Sequence, residues 1–583
     1  MELPRLDPAA LRARTVGADL SVTTPFGERL LVYADYTASG RCLDFVETYL
    51  GEVAALYANS HTEDSLTGRT ATHLLHEAEA AIKRALNAGP NGKVICTGSG
   101  STAAIHKLQE ILGVAVPPAT CRFLMEAARA ALGDAGAEAV AREIEATRPV
   151  VFVGPYEHHS NEVTWREGVC DVVEVELCPS GRLDLADLEA KLQDPRWVGR
   201  RKLGSFSAAS NVTGVWAPVH EIARLLHRHG APALFDFAAA GPYVEIDMNP
   251  AGDPEGRLDA VFLSPHKFLG GPGAAGLLVF DGALYPADLP PTVGGGGTVV
   301  YVTPHGHDFT SDVEARESAG TPGLFQVLRA ALALEVKRAV GVVAIHAREG
   351  AHLARALARW AEAGVEVLGP ADPDVRLGIV SFNMAPGSDG HYLHPRFVTA
   401  LLNDLFGIQS RAGCSCAGPY GHRLLGIDED RAERYRGLAL EGRHGIKPGW
   451  CRVGFHYSMD DAEADYLIEA VAFVAAHGRR FLPFYRFDVA SGAWTHRDGA
   501  AATRAFSLPA ALAAAPFAAT ARPEDERAAH YRRALDEAQA LADGLEEPDC
   551  SGVIDAACAD LQYFPVLETA VTQDEDAGYC GGN

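Results

Sequence analysis

The chain has 583 residues, 48% of them hydrophobic, and a formal net charge of −25. This length exceeds what one hydrophobic core can organise, so we expect two or more domains. The negative charge argues against nucleic acid as a partner, because phosphate contacts need clustered Lys and Arg. No apolar run reaches about 18 residues, so the sequence predicts no membrane-spanning helix.

The first residues and the cysteine usage indicate the cytoplasm. The segment MELPRLDPAALRAR lacks the basic-then-apolar order of a secretory signal. Eleven cysteines, an odd number scattered along the chain, fit buried or reactive thiols better than a disulfide framework. We therefore expect a soluble cytoplasmic protein whose thiols stay reduced.

Short apolar runs alternate with amphipathic helices through the first half of the chain. After an N-terminal arm over residues 1–30, the strand patterns are KVICTG, PVVFVG, VVEVEL, KLGSFS, PALFDF and DAVFLS. ATHLLHEAEAAIKRALNA and PVHEIARLLHRHG have the apolar spacing of helices. This alternation predicts an α/β domain over residues 31–325, with a mainly parallel sheet flanked by helices and a helical insertion at about 113–149.

The second half predicts a smaller domain and an extension. Long helices follow GTPG, and VRLGIVSFNM and WCRVGFHYS predict strands, so residues 326–478 form a small α+β domain. Residues 479–583 form a C-terminal extension, with a helix near Glu524 to Ala542. From Leu541 to Asn583 there are ten Asp or Glu and no Lys or Arg, which is typical of an acidic, partly flexible tail.

A lysine follows the apolar strand DAVFL, in the segment SPHKFLGGPG. Lys267 is there bracketed by small residues and lies beside His266. A lysine at the end of a strand is well placed to bond a carbonyl cofactor covalently. The alternative is a solvated lysine in a turn.

An acidic residue at the end of a neighbouring strand favours the functional interpretation. Asp236 lies in PALFDFAAA among apolar neighbours, where a carboxylate is costly to bury unless it meets a cation. The protonated ring nitrogen of pyridoxal phosphate is such a cation. A helix N-cap is the other explanation, but no clear helix begins there.

Four further motifs occur in fixed order along the chain: GSGSTAAIH, EHHSNEVTW, SNVTG and AGTP. With Lys267 and Asp236 they resemble the class V, fold-type I pyridoxal-phosphate enzymes, closest to the group II cysteine desulfurases and selenocysteine lyases. The resemblance runs from about Tyr33 to Gly478 and implies a homodimer. The cofactor-binding residues that it implies are Asp236, Lys267, Ser101, Thr102, Asn211, Ser264, His266, Gly320 and Thr321, with Gly320 and Thr321 reaching the phosphate from the partner subunit.

The same resemblance assigns catalytic and substrate roles. It implies that His158 stacks on the cofactor ring and that Lys267 moves a proton at the substrate Cα. In RAGCSCAGPYG, Arg411, Gly413 and Cys416 reproduce the family pattern Arg-x-Gly-x-x-Cys. Cys416 then corresponds to the nucleophile that takes sulfur from L-cysteine as a persulfide, releasing alanine. Arg452 in CRVGF corresponds to the arginine that binds the substrate carboxylate, with Arg411 as a second substrate-binding residue.

The sequence departs from the family pattern at three positions, so it does not determine the substrate or the sulfur acceptor. Ala239 stands where the family often has Gln, His106 stands where it has Asn, and Cys414 precedes the proposed nucleophile. Cys414 and Cys416 with His422 offer only three metal ligands, whereas a structural zinc takes four, so we assign no metal. A Cys414–Cys416 disulfide would be strained, yet it could guard a persulfide.

Three other functions remain as alternatives. One is another class V enzyme, such as an epimerase, a C–S lyase or an aminotransferase. A second resembles molybdenum-cofactor sulfurases, although residues 479–583 are short and acidic for their acceptor domain. The third is a non-catalytic scaffold. A sulfur-acceptor protein would be a further partner, and Cys580 in the tail is an alternative internal acceptor.

Overall fold

The computed structural model describes residues 4–60, 62–499, 522–567 and 571–572. The α-helices of these residues are α1 Pro8–Ala13, α2 Asp44–Ala54, α3 Leu66–Ala85, α4 Ser101–Ile111, α5 Pro118–Thr147, α6 Val163–Arg166, α7 Leu185–Leu192, α8 Val219–Arg228, α9 Val313–Arg316, α10 Leu324–Val340, α11 Val342–Ala363, α12 Pro395–Phe406, α13 Gly418–Leu424, α14 Glu429–Leu440, α15 Asp461–His477 and α16 Glu524–Asp543.

The strands of the same residues are β1 Ser21–Thr24, β2 Gly27–Leu30, β3 Val32–Tyr33, β4 Gly92–Thr97, β5 Val150–Val153, β6 Asp171–Glu174, β7 Lys202–Ser207, β8 Ala233–Asp236, β9 Ala260–Leu263, β10 Gly276–Asp281, β11 Val299–Val302, β12 His307–Phe309, β13 Val365–Val367, β14 Ile379–Met384, β15 Ile408–Gln409, β16 Arg411–Gly413, β17 Trp450–Gly454, β18 Tyr485–Asp488, β19 Trp494–His496 and β20 Val571–Thr572.

The first compact unit is Ala38–His346 with the short segment before Asp7. Its sheet has seven strands in the order β4-β10-β9-β8-β7-β5-β6. The pairs among β5 to β9 are parallel, and only β10 runs antiparallel to its two neighbours. Every residue of β5, β8 and β9 is buried, as expected of strands covered on both faces. The structure confirms the predicted α/β fold with a mainly parallel sheet.

Helix α5 occupies most of the predicted insertion. It has a kink at Gly133, whose φ of 71° and ψ of 176° lie outside the helical region. Most of its residues are exposed, and Ala137 is its buried residue. Helix α5 therefore adds surface rather than core. The domain boundaries given in the sequence analysis stay a prediction.

The second compact unit is Asp7–Thr37 with the described residues from Ala347 onward. Its sheet of four antiparallel strands has the order β13-β14-β17-β16. Aromatic side chains of the C-terminal extension pack on α12: Phe397 lies 5.2 Å from Tyr485 and 5.0 Å from Trp494, between ring centroids. No helix among the described residues is long and apolar enough to cross a membrane.

Candidate active site

A buried carboxyl group lies at the carboxyl end of β8 in the first unit. Asp236 is 4% exposed, and its Oδ1 accepts a hydrogen bond of 2.9 Å from the Ala238 N–H. Burial raises the pKa of Asp236, while the Ala238 N–H, the charge of Lys267 and the Ser101 hydroxyl act in the opposite direction. Such a carboxyl group is suited to a ligand that brings positive charge.

Lys267 lies in a 3-10 turn, Pro265–Lys267, directly after β9. Its backbone N–H donates to the Ser264 carbonyl at 2.9 Å. Because β8 and β9 are parallel neighbours, Asp236 and the Lys267 turn share one edge of the sheet. The structure thus brings together the two residues on which the sequence analysis depends most.

The N-terminus of α4 forms a cradle for an anion beside this edge. The Ser101 N–H donates to Ser264 Oγ at 2.8 Å, and His266 Nδ1 donates to the Ser99 carbonyl at 2.7 Å. A Cβ at Gly100 would lie 2.9 Å from His266 Cε1, so a side chain there would force these groups to shift. Helix N-termini attract anions through their N–H groups and dipole, which suits a phosphate.

Ser160 connects two other predicted site residues. Its hydroxyl lies 2.7 Å from Thr102 Oγ1 and 3.1 Å from His158 Nδ1. Its N–H also donates to His158 Nδ1 at 3.1 Å, so that nitrogen is an acceptor and the neutral ring carries its proton on Nε2. Asn211 is buried in the turn after β7. Ser160 lies within the EHHSNEVTW motif, but the sequence analysis assigns it no role.

Gly320 and Thr321 lie at the rim of this region of the first unit. Both are exposed, and Thr321 Oγ1 accepts a hydrogen bond of 3.2 Å from Asn59 Nδ2. Thr321 also lines a cavity of about 500 Å³ together with Thr97 and Gly98, which precede the α4 cradle in the chain. The AGTP segment therefore approaches the cradle within its own chain, and its reach across a dimer interface stays a prediction.

Two arginines of the second unit share one aspartate. Arg411 of β16 is paired in register with Arg452 of β17. Arg411 Nε donates to Asp35 Oδ2 at 2.9 Å, and an Arg452 terminal nitrogen donates to Asp35 Oδ1 at 3.0 Å. The Arg452 side chain is buried, whereas that of Arg411 is half exposed. The sequence analysis finds both arginines but misses Asp35, which lies 376 residues before Arg411 in the chain.

The cysteine loop follows β16 with an unusual backbone. Ser415 and Cys416 have φ values of 51° and 55°, in the left-handed region that non-glycine residues seldom adopt. Trp450 Nε1 donates to Ser415 Oγ at 3.2 Å, and the Ala417 N–H donates to the Cys414 carbonyl at 3.1 Å. Cys414 and Cys416 are both exposed free thiols. Two consecutive strained residues are typical of a functional loop.

The structure also places Ala239 and His106, two of the residues that depart from the family pattern. Ala239 is buried, and His106 lies on the exposed side of α4, with its Nδ1 3.8 Å from Glu110 Oε1. Within the described residues, no group of three or more His, Cys, Asp or Glu could hold a metal ion. Cys580 lies outside the described residues.

The donor set of the first unit fits the chemistry of pyridoxal phosphate. The cradle offers N–H and hydroxyl groups for a phosphate, Asp236 suits a protonated ring nitrogen, and the Lys267 amine suits an aldehyde. Gly100 supports this fit, because a Cβ there would meet the His266 ring and Ser264 Oγ, two groups of the cradle.

Comparisons with known proteins place the chain in a class. The sequence model of the aminotransferase class-V family matches residues 134–467, so the chain belongs to this family. A probable cysteine desulfurase of Streptomyces coelicolor is 27% identical over 451 residues, which are 76% of this chain and 92% of the relative.

A probable cysteine desulfurase of Pyrococcus abyssi is 30% identical over 281 residues, 47% of this chain, and the matched part spans 64% of that relative. Among solved structures, the apo cysteine desulfurase from Thermococcus onnurineus NA1 matches with a TM-score of 0.62 at 22% identity, covering 82% of this chain and 98% of the other. The chain is therefore a class-V protein of the cysteine desulfurase kind with the corresponding fold.

Proposed function

We propose that this protein is a pyridoxal-phosphate-dependent enzyme that removes sulfur from L-cysteine and carries it as a persulfide on Cys416. The observation that carries the proposal is the exposed Cys416 thiol on its left-handed loop, in the same unit as the Arg411 and Arg452 pair. A thiol held on a strained turn is presented to a reactant, and a guanidinium fork recognises the carboxylate of an amino acid. The relatives named cysteine desulfurases support an enzyme of this general kind.

Each residue has a defined task in this proposal. When bound, pyridoxal phosphate supplies an electron sink for negative charge at the substrate Cα. Asp236 would accept a hydrogen bond from the protonated ring nitrogen, and His158 would cover the ring. The Lys267 amine takes a proton from Cα and returns it, and Arg452 holds the substrate carboxylate. His266 and Ser264 complete the phosphate cradle.

Sulfur transfer then takes place at Cys416. Its thiolate attacks the sulfur of the substrate, so an S–S bond forms while the Cβ–S bond of the substrate breaks. The carbon fragment takes up a proton and leaves as alanine, and the sulfur stays on Cys416 as a persulfide. A thiol or an acceptor protein removes the persulfide sulfur and completes the cycle.

The deciding experiment compares Cys416→Ser with Cys414→Ser. Both variants should keep the absorbance band at about 420 nm that a lysine-bound pyridoxal phosphate shows. We expect Cys416→Ser to lose alanine release from L-cysteine by on the order of 10³-fold, because its hydroxyl cannot accept sulfur. Cys414→Ser should keep most of the activity. Alanine would be measured by chromatography, and sulfide would be measured with a reducing thiol present.

Other outcomes of this comparison contradict the proposal in separate ways. A protein that shows no band with added cofactor would contradict the cofactor assignment. A protein that shows the band but does not turn over cysteine acts on another amino acid, which shifts of the band would identify. Equal activity of Cys416→Ser and wild type would remove Cys416 from the reaction.

Asp35 yields a second prediction, because its carboxylate engages both guanidinium groups that would bind a substrate carboxylate. We expect Asp35→Asn to lower the KM for L-cysteine by about three- to tenfold with little change in kcat, since a competing anion is removed while one acceptor oxygen stays. Steady-state kinetics at low salt would measure this effect.

The matched control is Asp389→Asn, because Asp389 pairs with a different arginine, Arg479, at 2.7 Å in the same unit. It should leave KM unchanged. A higher KM in Asp35→Asn would mean that Asp35 positions the arginines rather than competes with the substrate.

We further propose that the enzyme is a homodimer. Gly320 and Thr321 support this, because they are exposed and therefore accessible to a second copy of the chain. Light scattering coupled to size-exclusion chromatography would test it, and a monomer at micromolar concentration would contradict it.

A further inference from the structure

One buried carboxylate of the first unit has no role in the reaction as described above. Glu157, the residue before His158, is 4% exposed. Its Oε1 accepts hydrogen bonds from the N–H groups of Gly154 at 3.1 Å and Ser207 at 2.8 Å. Its Oε2 accepts from Ser207 Oγ at 2.6 Å and Asn161 Nδ2 at 2.7 Å. All four donors are uncharged.

These hydrogen bonds connect the segments that position the site. Gly154 directly follows β5, Ser207 ends β7, and Asn161 lies in the 3-10 turn after His158. Ser207 is the register partner of Asp236 in the β7–β8 pair. A Cβ at Gly154 would lie 2.5 Å from Glu157 Oε1, so the close approach requires glycine at that position. Glu157 therefore links the segment that carries His158 to β7, the strand whose Ser207 lies opposite Asp236.

The charge of Glu157 is the second element of the argument. Burial raises its pKa to about 7, with Ser207 and Asn161 lowering it and the charge of Asp236 raising it further. A proton on Glu157 would displace one of the four donors, so the hydrogen bonds favour the carboxylate form. The charged groups at the neighbouring strand ends are Asp236, the last residue of β8, and Lys267, in the turn after β9. A second buried anion beside Asp236 would be costly unless positive charge is bound there.

We propose that Glu157 is a positioning residue whose carboxylate fixes His158 relative to Asp236 and supports the positive charge of the bound cofactor. This inference rests on the proposed function, because it needs the cofactor that the first unit fits. It assigns Glu157 no contact with the substrate. Two consequences follow: Glu157 should affect the proton affinity of the bound cofactor, and it should affect how long the cofactor stays bound.

The test is a pH titration of the absorbance band at about 420 nm in the protein loaded with pyridoxal phosphate. Glu157→Gln removes the charge and keeps the shape of the side chain. Removing an anion disfavours the protonated, positively charged form of the bound cofactor, so the pH at which the band is lost should fall by about one unit, a tenfold change in proton affinity. Cofactor release, followed by dilution, should become faster.

The matched control is Ser207→Ala, which deletes one of the four donors and keeps the charge. Ser207→Ala should lower the melting temperature of the cofactor-free protein, since it removes a buried hydrogen bond. Only Glu157→Gln should move the band titration. Equal shifts in the two variants, or no shift in Glu157→Gln, would overturn the proposal.

A second variant covers the case in which Glu157→Gln does not fold. Glu157→Asp keeps the charge but shortens the side chain, so the band titration should stay within a few tenths of a unit while cofactor release becomes faster. A shift of about one unit in Glu157→Asp would contradict the role of the charge. Absence of the band in the wild-type protein would instead contradict the proposed function, so the two failures are distinguishable.

Discussion

Lys267→Ala should abolish the absorbance band at about 420 nm and lower alanine release from L-cysteine by on the order of 10³-fold or more. The lysine lies in the turn after β9, at the sheet edge that it shares with Asp236. In the proposed mechanism, its amine is the group that would bond the cofactor aldehyde and the base that would serve the substrate Cα. Removing it takes away both functions at once. Visible absorbance and alanine chromatography measure the two losses separately.

Lys267→Arg is the control for charge. Arginine keeps a cation beside Asp236, whose pKa the Lys267 charge lowers, but it cannot form the covalent bond. We expect this variant to bind the cofactor non-covalently, without the band, and to be as inactive as Lys267→Ala. Turnover at the wild-type rate in either variant would contradict the assignment of Lys267. Rescue of Lys267→Ala by an added small primary amine would support its role as the base.

Local pattern predicts the central strands of the first unit because β5, β8 and β9 are buried on both faces. PVVFVG, PALFDF and DAVFLS are continuous apolar runs, and they become β5, β8 and β9. The antiparallel strand β10, GLLVFD, is not among the predicted strands, although its composition suits one. Its place between β4 and β9 depends on pairings with distant segments, which local periodicity does not encode.

The candidate site likewise contains some residues that the local pattern predicts and others that only the fold brings together. Asp236 and Lys267 are predictable because Asp236 ends one buried strand and Lys267 follows the next, and such strand ends meet at one edge of a parallel sheet. Asp35 is not predictable in this way, since it lies 417 residues before Arg452 and only the fold brings them together. Glu157 is not predictable either, because it lies in the polar segment GPYEHHSNE and two of its four donors belong to Ser207, 50 residues further along the chain.

Asp236→Asn should have opposite effects on the melting temperatures of the cofactor-free protein and of the protein loaded with pyridoxal phosphate. Burial raises the pKa of Asp236 above its value in the unfolded chain, so the folded, cofactor-free protein binds this proton more readily than the unfolded chain does. The carboxylate therefore destabilises the folded state at pH values above the unfolded pKa of about 3.9, and this destabilisation is absent below it. The asparagine oxygen can still accept the Ala238 N–H. We expect cofactor-free Asp236→Asn to melt at a higher temperature than wild type at pH 7, with the difference shrinking as the pH falls.

Binding of pyridoxal phosphate should reverse this order of the two melting temperatures. The protonated ring nitrogen gives the Asp236 carboxylate a partner in the wild type, so cofactor binding should raise the melting temperature of the wild type more than that of the variant. Alanine release should fall by about 10²- to 10³-fold in Asp236→Asn, because a neutral amide does not hold the ring proton. Thermal melts at several pH values measure the difference in melting temperature between the two proteins, both without and with the cofactor. A variant that melts lower than wild type in both states would show that Asp236 serves packing rather than the cofactor.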